Sequence, residues 1–167
     1  MHQKGVLVLN KIWALLFSIL LLSGCNTAHK NVDYFKPKVA TDNKAATIIG
    51  SRTENGAFVA DEVLYVLAID GKPIESAEEN SVKPLRIEPG NHTIQVAFAQ
   101  GKLHAQVTFK SSLNAGEIYE VKAQKNALES VTFWISEKSS NTVVTEKLVG
   151  KVISGELAPM FIPIMVN

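Results

Sequence analysis

The chain has 167 residues, 46% of them hydrophobic and 20% charged, with a formal net charge of +1. That length suits one ordinary domain with short extras, and that balance excludes a disordered chain. So small a charge also excludes the basic footprint that phosphate backbones require, so no nucleic acid is expected as a partner.

Residues 1–11, MHQKGVLVLNK, carry Lys4 and Lys11 and no acidic group, and residues 12–22, IWALLFSILLL, are apolar apart from Ser18. The 11 residues of that run would span roughly 16 Å as a helix, about half of a ~30 Å hydrocarbon core. This is the length of a signal-peptide core and too short for a permanent membrane helix. Ser23 and Gly24 follow, and then Cys25, the only cysteine. One cysteine closes no internal disulfide, so the folded part must stand on its hydrophobic core.

Leu22-Ser23-Gly24-Cys25 resembles the lipobox of bacterial lipoproteins. The resemblance implies cleavage between Gly24 and Cys25, diacylglycerol on the Cys25 thiol, and acylation of the new N-terminus. Asn26 stands at the sorting position, where Asp would favour the inner membrane. The resemblance therefore implies an outer-membrane lipid anchor with the domain facing the periplasm. Several acyl chains, at ~0.8 kcal/mol per buried methylene, hold far more firmly than one myristoyl group. Loss of residues 1–24 leaves 15 basic against 16 acidic residues, a formal charge of −1.

Residues 25–44 are polar and aperiodic and read as the lipidated cysteine followed by a flexible tether with a reach of roughly 25 Å. Tyr34 and Phe35 either meet the membrane interface or pack on the domain.

From residue 45 the signals are those of strands. ATIIGS (46–51) is a short apolar run stopped by glycine, and EVLYVLAI (62–69) is apolar on both faces and ends at Asp70-Gly71, a turn dipeptide. PLRIEPG (84–90) alternates and turns at Pro89-Gly90, and NHTIQVAFA (91–99) and KLHAQVTFK (102–110) flank Gln100-Gly101. EIYEVKAQ (117–124), ESVTFWISE (129–137) and TVVTE (142–146) follow. Short strands punctuated by glycine and proline predict an all-β fold, an antiparallel sandwich of about seven or eight strands over residues 45–167.

A loop of Gln100-Gly101 sets Phe98 opposite Leu103, Val96 opposite Ala105, Ile94 opposite Val107 and His92 opposite Phe109. This face is apolar, whereas Thr93, Gln95, His104, Gln106 and Thr108 share the other. In the tail past residue 147, LVGKVISGELAPMFIPIMVN, residues 157–166 are strongly apolar and broken by Pro159 and Pro163, which excludes a helix interior or central strand. It is expected either to close over an end or edge of the sandwich or to dock a partner.

VLYVLAIDGKPI and LRIEPGNHTIQVAF, a strand entering an Asp-Gly turn and a Pro-Gly-x-His turn entering an alternating strand, resemble the PEGA-type β-sandwich module of bacterial surface proteins. ESAEENSVKP stands where that family carries Gly-x-Thr-Pro. With its leader, the whole chain resembles small Gram-negative lipoproteins. The resemblance implies a β-sandwich with a binding or scaffolding role in the envelope, and it brings no catalytic residue.

Chemistry-bearing patterns are few. His92 and His104 fall on opposite faces of the hairpin and cannot share an ion, so no metal ligand is assigned. GKVIS (150–154) is not a phosphate loop, and no Gly-x-Ser-x-Gly elbow occurs. Glu75, Glu78 and Glu79 sit in a hydrophilic loop that supplies neither burial nor orientation. No catalytic residue and no cofactor is assigned, and the chain reads as non-enzymatic. Trp134, on the face opposite Val131, Phe133 and Ile135, and Phe161 in the tail are the candidate binding surface. The reading is a membrane-anchored protein that binds or scaffolds an envelope protein or polysaccharide. The alternatives are an envelope enzyme acting on cell-wall or polysaccharide substrates, or a carrier with Phe98, Phe109 and Phe133 lining an apolar cavity.

Overall fold

Alternating apolar side chains on extended backbone need a facing layer, and in the computed structural model two sheets supply it. The structure describes residues 32–37, 44–126 and 129–155. These form strands β1 (Ala46–Ile49), β2 (Ser51–Thr53), β3 (Glu62–Ile69), β4 (Lys72–Pro73), β5 (Leu85–Ile87) and β6 (Gly90–Gln100). They continue as β7 (Leu103–Leu113), β8 (Ile118–Asn126), β9 (Ser130–Glu137), β10 (Leu148–Lys151) and β11 (Ile153–Ser154). One sheet has the order β10-β9-β8-β1-β5 and the other β11-β7-β6-β3-β2, with β4 beside β3. This is the all-β sandwich expected. The strands among the described residues number 11 because several are only two to four residues long.

Between the sheets lie Ile48, Ile69, Ile87, Ile94, Val96, Phe109, Tyr119, Val121, Val131, Phe133 and Ile135, all nearly or fully inaccessible to water. At about 1.5–3 kcal/mol per buried large side chain, this layer dominates stability. A second, smaller cluster lies on the outer side of β3 and β6, where Val63, Tyr65, Ala97 and Ala99 are covered with help from Leu67 and Ala77. The outer face expected to be polar is therefore partly roofed. The loop holding Glu75, Glu78 and Glu79 also carries Ala77, which packs there.

Two short strand pairs change sheets and close the sides of the sandwich. β1 runs into β2 through Gly50, and β10 runs into β11 through Val152. A Cβ on Gly50 would lie 2.0 Å from the Leu64 carbonyl oxygen, so the crossing approaches β3 at backbone-contact distance. β1 also pairs with β8 in parallel, Thr47 opposite Ile118, the one parallel pair among the described strands.

The hairpin register differs from the expected one. Ile94 faces Phe109, Val96 faces Val107, Phe98 faces Ala105, Gln100 faces Leu103 and His92 faces Ser111. The loop is Gly101-Lys102, with Gly101 at φ 60. A two-residue loop with positive φ at its first central position only favours glycine there, and this moves each partner by two residues. A shift of two preserves the faces, so the division into apolar and polar sides stands.

Residues 142–146 do not form the expected strand. The segment keeps two backbone bonds to β9, from the Glu137 amide to the Thr142 carbonyl at 2.8 Å and from the Val144 amide to the Ile135 carbonyl at 2.9 Å, around a single bridge of Val143 to Ser136, and the pairing stops where the Ile135 amide bonds the Thr145 hydroxyl at 3.0 Å. Conversely, residues 148–154, read with the tail, form β10 and β11. The leader, most of the tether and the segment containing Pro159 and Pro163 lie outside the described residues.

Candidate functional site

The two ends of the sandwich differ chemically. At one end, β3 turns into β4 through Asp70 and Gly71, both at positive φ (50 and 75), as a two-residue hairpin loop of that hand requires. The Asp70 amide donates to the Thr93 carbonyl at 2.8 Å, and the Thr93 amide donates to Asp70 Oδ1 at 2.9 Å. The other carboxylate oxygen, Oδ2, accepts from His92 Nδ1 at 2.8 Å, while His92 Nε2 lies 2.7 Å from the Glu88 carbonyl oxygen. Both ring partners are acceptors. A ring with hydrogen on each nitrogen satisfies both contacts, and a neutral ring satisfies only one.

Residues 32–37 reach this same end. The Phe35 amide donates to the Pro73 carbonyl at 2.8 Å, Phe35 packs against the core, and Lys72 pairs with Asp33 at 2.6 Å. That pairing holds the Asp33 carboxyl below its ordinary range. A cleft of about 450 Å³ opens here, lined by Tyr34, Phe35, Ile69, Ile87 and His92 among others. Of the two fates expected for Phe35, packing on the domain is the one observed.

Asp70, His92 and Ser111 come together at this end, a composition known from nucleophilic catalysis. Their bonding differs from that of a working triad. The ring nitrogen that would take a serine proton is engaged by the Glu88 carbonyl, and the buried Ser111 hydroxyl has no hydrogen-bond partner among the described residues. The network instead ties the β3–β4 turn to the start of β6.

At the opposite end a cleft of about 340 Å³ lies between β8 and the β2–β3 pair. Leu64, Phe98, Val121 and Ala123 line it, and an ion pair between Glu62 and Lys125 bridges it. Among the described strands β8 has no neighbour on this side past Glu120, because β1 has already crossed to the other sheet. Glu120 accepts from Lys122 at 2.5 Å, and this bond, with help from Lys138, holds its carboxyl below the usual glutamate range.

No protein-family model, curated protein or solved structure matches this chain. Its chemistry therefore rests on the residues themselves.

Trp134 lies as expected on the face opposite Val131, Phe133 and Ile135 and is half-buried, with the Lys147 ammonium 4.8 Å from its ring centroid. Phe109 and Phe133 sit in the packed core, and Phe98 alone of the three phenylalanines borders the cleft between β8 and β3. His92 and His104 do fall on opposite faces, His104 beside Ala99 and Ile153 with its Nδ1 unpartnered. Neither His104 nor Glu75, Glu78 or Glu79 lines either of these clefts. Gly24, Cys25, Asn26 and Phe161 lie outside the described residues.

Among the described residues no group of three or more metal-ligating side chains gathers, and no helix is long and apolar enough to cross a membrane. Sequence reasoning missed the Asp70–His92 pair. The signal was present, since the Asp-Gly and Pro-Gly-x-His turns that carry the PEGA resemblance supply these two residues, but their meeting needed the β3–β6 register.

Proposed function

We propose that this protein is a lipid-anchored component of the bacterial envelope whose β-sandwich binds or scaffolds a protein or polysaccharide of that envelope. The observation that carries the reading is the lone Cys25, set after a basic leader, an 11-residue apolar run and two small residues. The PEGA-like turns support it, because their Asp70 and His92 join in one hydrogen-bonded network. The packing of Phe35 at Pro73 supports it as well. Residues 25–32 extend at most about 25 Å, so a lipid on Cys25 keeps the end bearing Asp70 and His92 near the bilayer.

Metabolic labelling with an alkyne fatty acid tests the anchor. The native chain is expected to be labelled and to sediment with outer membranes, and Cys25→Ser to lose the label and keep the leader. An unlabelled native chain, or one that retains residues 1–24, refutes the reading.

A further inference from the structure

Among the described residues, β8 has one edge paired throughout and the other bare past Glu120. The Lys138 amide donates to the Ile118 carbonyl at 2.8 Å, and the register sets Lys122 opposite Trp134 and Gln124 opposite Thr132. Bonded and non-bonded pairs alternate along an antiparallel ladder, so the even-numbered residues of β8 turn their amides and carbonyls to β9. Odd-numbered residues turn theirs the other way, where the Thr47 amide of β1 takes the Glu117 carbonyl at 2.9 Å. β1 follows β8 only to Ile49, opposite Glu120, and then crosses at Gly50. The amides and carbonyls of Ala123 and Lys125 therefore face a side on which no described strand lies.

This bare edge is held in place. Asn126 still pairs with Ser130, the Lys125 ammonium pairs with Glu62 across the sheets, and it also donates to Gln100 Oε1 at 3.4 Å. Residues 121–125 offer about 17 Å of edge, with no proline and no bulge against β9 to blunt it. The inward charge among them, Lys125, is already neutralised by Glu62. Beside the edge lies the cleft of about 340 Å³, with Leu64, Phe98, Val121 and Ala123 as its apolar lining. On the outer face Lys122 and Lys138 share one carboxylate, Glu120, which leaves positive charge in excess beside the edge. Backbone donors and acceptors at strand spacing are matched by another polypeptide backbone, and the two faces select its side chains.

We infer that residues 121–125 accept an extended segment of another protein as an added strand, in the place that β1 leaves at Gly50. Its inward side chains are apolar and meet Leu64, Phe98 and Ala123; its outward side chains are acidic and meet Lys122. This rests on the binding role proposed above and deepens it, making the partner a polypeptide strand in place of a polysaccharide. The edge exists with or without lipid on Cys25, so failure here and failure of the anchor are distinguishable.

The test pans a phage-displayed library of eight-residue peptides against the full chain in detergent micelles, then follows amide hydrogen exchange with the enriched peptide added free. Enriched sequences should alternate apolar and acidic residues. The Ala123 and Lys125 amides should exchange freely in the chain alone and slow by about tenfold or more with peptide, while the Lys122 and Gln124 amides stay protected throughout. Ala123→Pro removes an amide that points to the bare edge and should abolish binding with the β8–β9 pairing kept, whereas Cys25→Ser should bind as the native chain does. Should Ala123→Pro fail to fold, the exchange result in the native chain still decides. No enrichment, protection confined to other residues, or Ala123 and Lys125 amides already protected in the chain alone, by its own residues or by a second copy, overturns the inference.

Discussion

Gly50→Ala should be strongly destabilising. The chain changes sheets at Gly50, and an alanine Cβ would sit 2.0 Å from the Leu64 carbonyl oxygen and 2.8 Å from that of Ser81. Carbon–oxygen contacts are comfortable only at about 3.3–3.6 Å, so β3 or the crossing must move by roughly 1.3 Å. Both obstacles are backbone, so no rotamer relieves them. Leu64 is fixed on both sides, by Ser51 and by Phe98. Overpacking of this kind costs about 1–3 kcal/mol, and weakening the 2.9 Å bond from the Gly50 amide to Ser81 adds about 0.5–1.5. The expected loss is about 3 kcal/mol. With a urea slope of about 1–3 kcal/mol per molar, the unfolding midpoint should fall by about 1 M or more, read by far-ultraviolet circular dichroism. Gly56→Ala is the comparison: Gly56 is at φ 84 with nothing near its Cβ position, so it costs only backbone strain of about 1–2 kcal/mol. A loss below about 1 kcal/mol for Gly50→Ala would show that the crossing yields freely and would refute the close-contact account.

Burial, helped by the charge of Glu78, pushes the Tyr65 hydroxyl up to about 12 from 10.0. The folded state then holds a proton that the unfolded state releases, so this stability is fully present below pH 10 and is lost as pH rises through 10 to 12. Alkaline titration of unfolding should show that slope and Tyr65→Phe should flatten it; an unchanged slope would refute the assignment. His92→Gln and Asp70→Asn, the latter keeping a residue that tolerates positive φ, should each destabilise by about 1–2 kcal/mol. Their double-mutant cycle should return a coupling of about 0.5–3 kcal/mol. Additive losses would mean that the 2.8 Å contact contributes nothing.

The chemistry of the ends was harder to read than the faces of the strands. Phe98, Val96 and Ile94 were assignable to one side because side-chain direction in a strand depends only on parity, and parity survived a two-residue error in register. The turn at Asp70-Gly71 was legible for the same local reason. β10 and β11 were not, because each is too short to carry a pattern and forms only where β9 and β7 offer an edge. Residues 142–146 carried a strand-like pattern, but their pairing with β9 ends after two backbone bonds, where the Thr145 hydroxyl takes the Ile135 amide.

The amino-acid order alone determined the all-β character and the inward or outward sense of the long strands. These depend on neighbours a few residues apart. Tertiary structure decided that β1 lies parallel to β8, that the chain changes sheets at Gly50, and that Asp70 meets His92 across 22 positions. Pairings of that kind are chosen by which arrangement of whole sheets buries the most apolar surface while leaving backbone groups bonded, and no local stretch encodes that comparison.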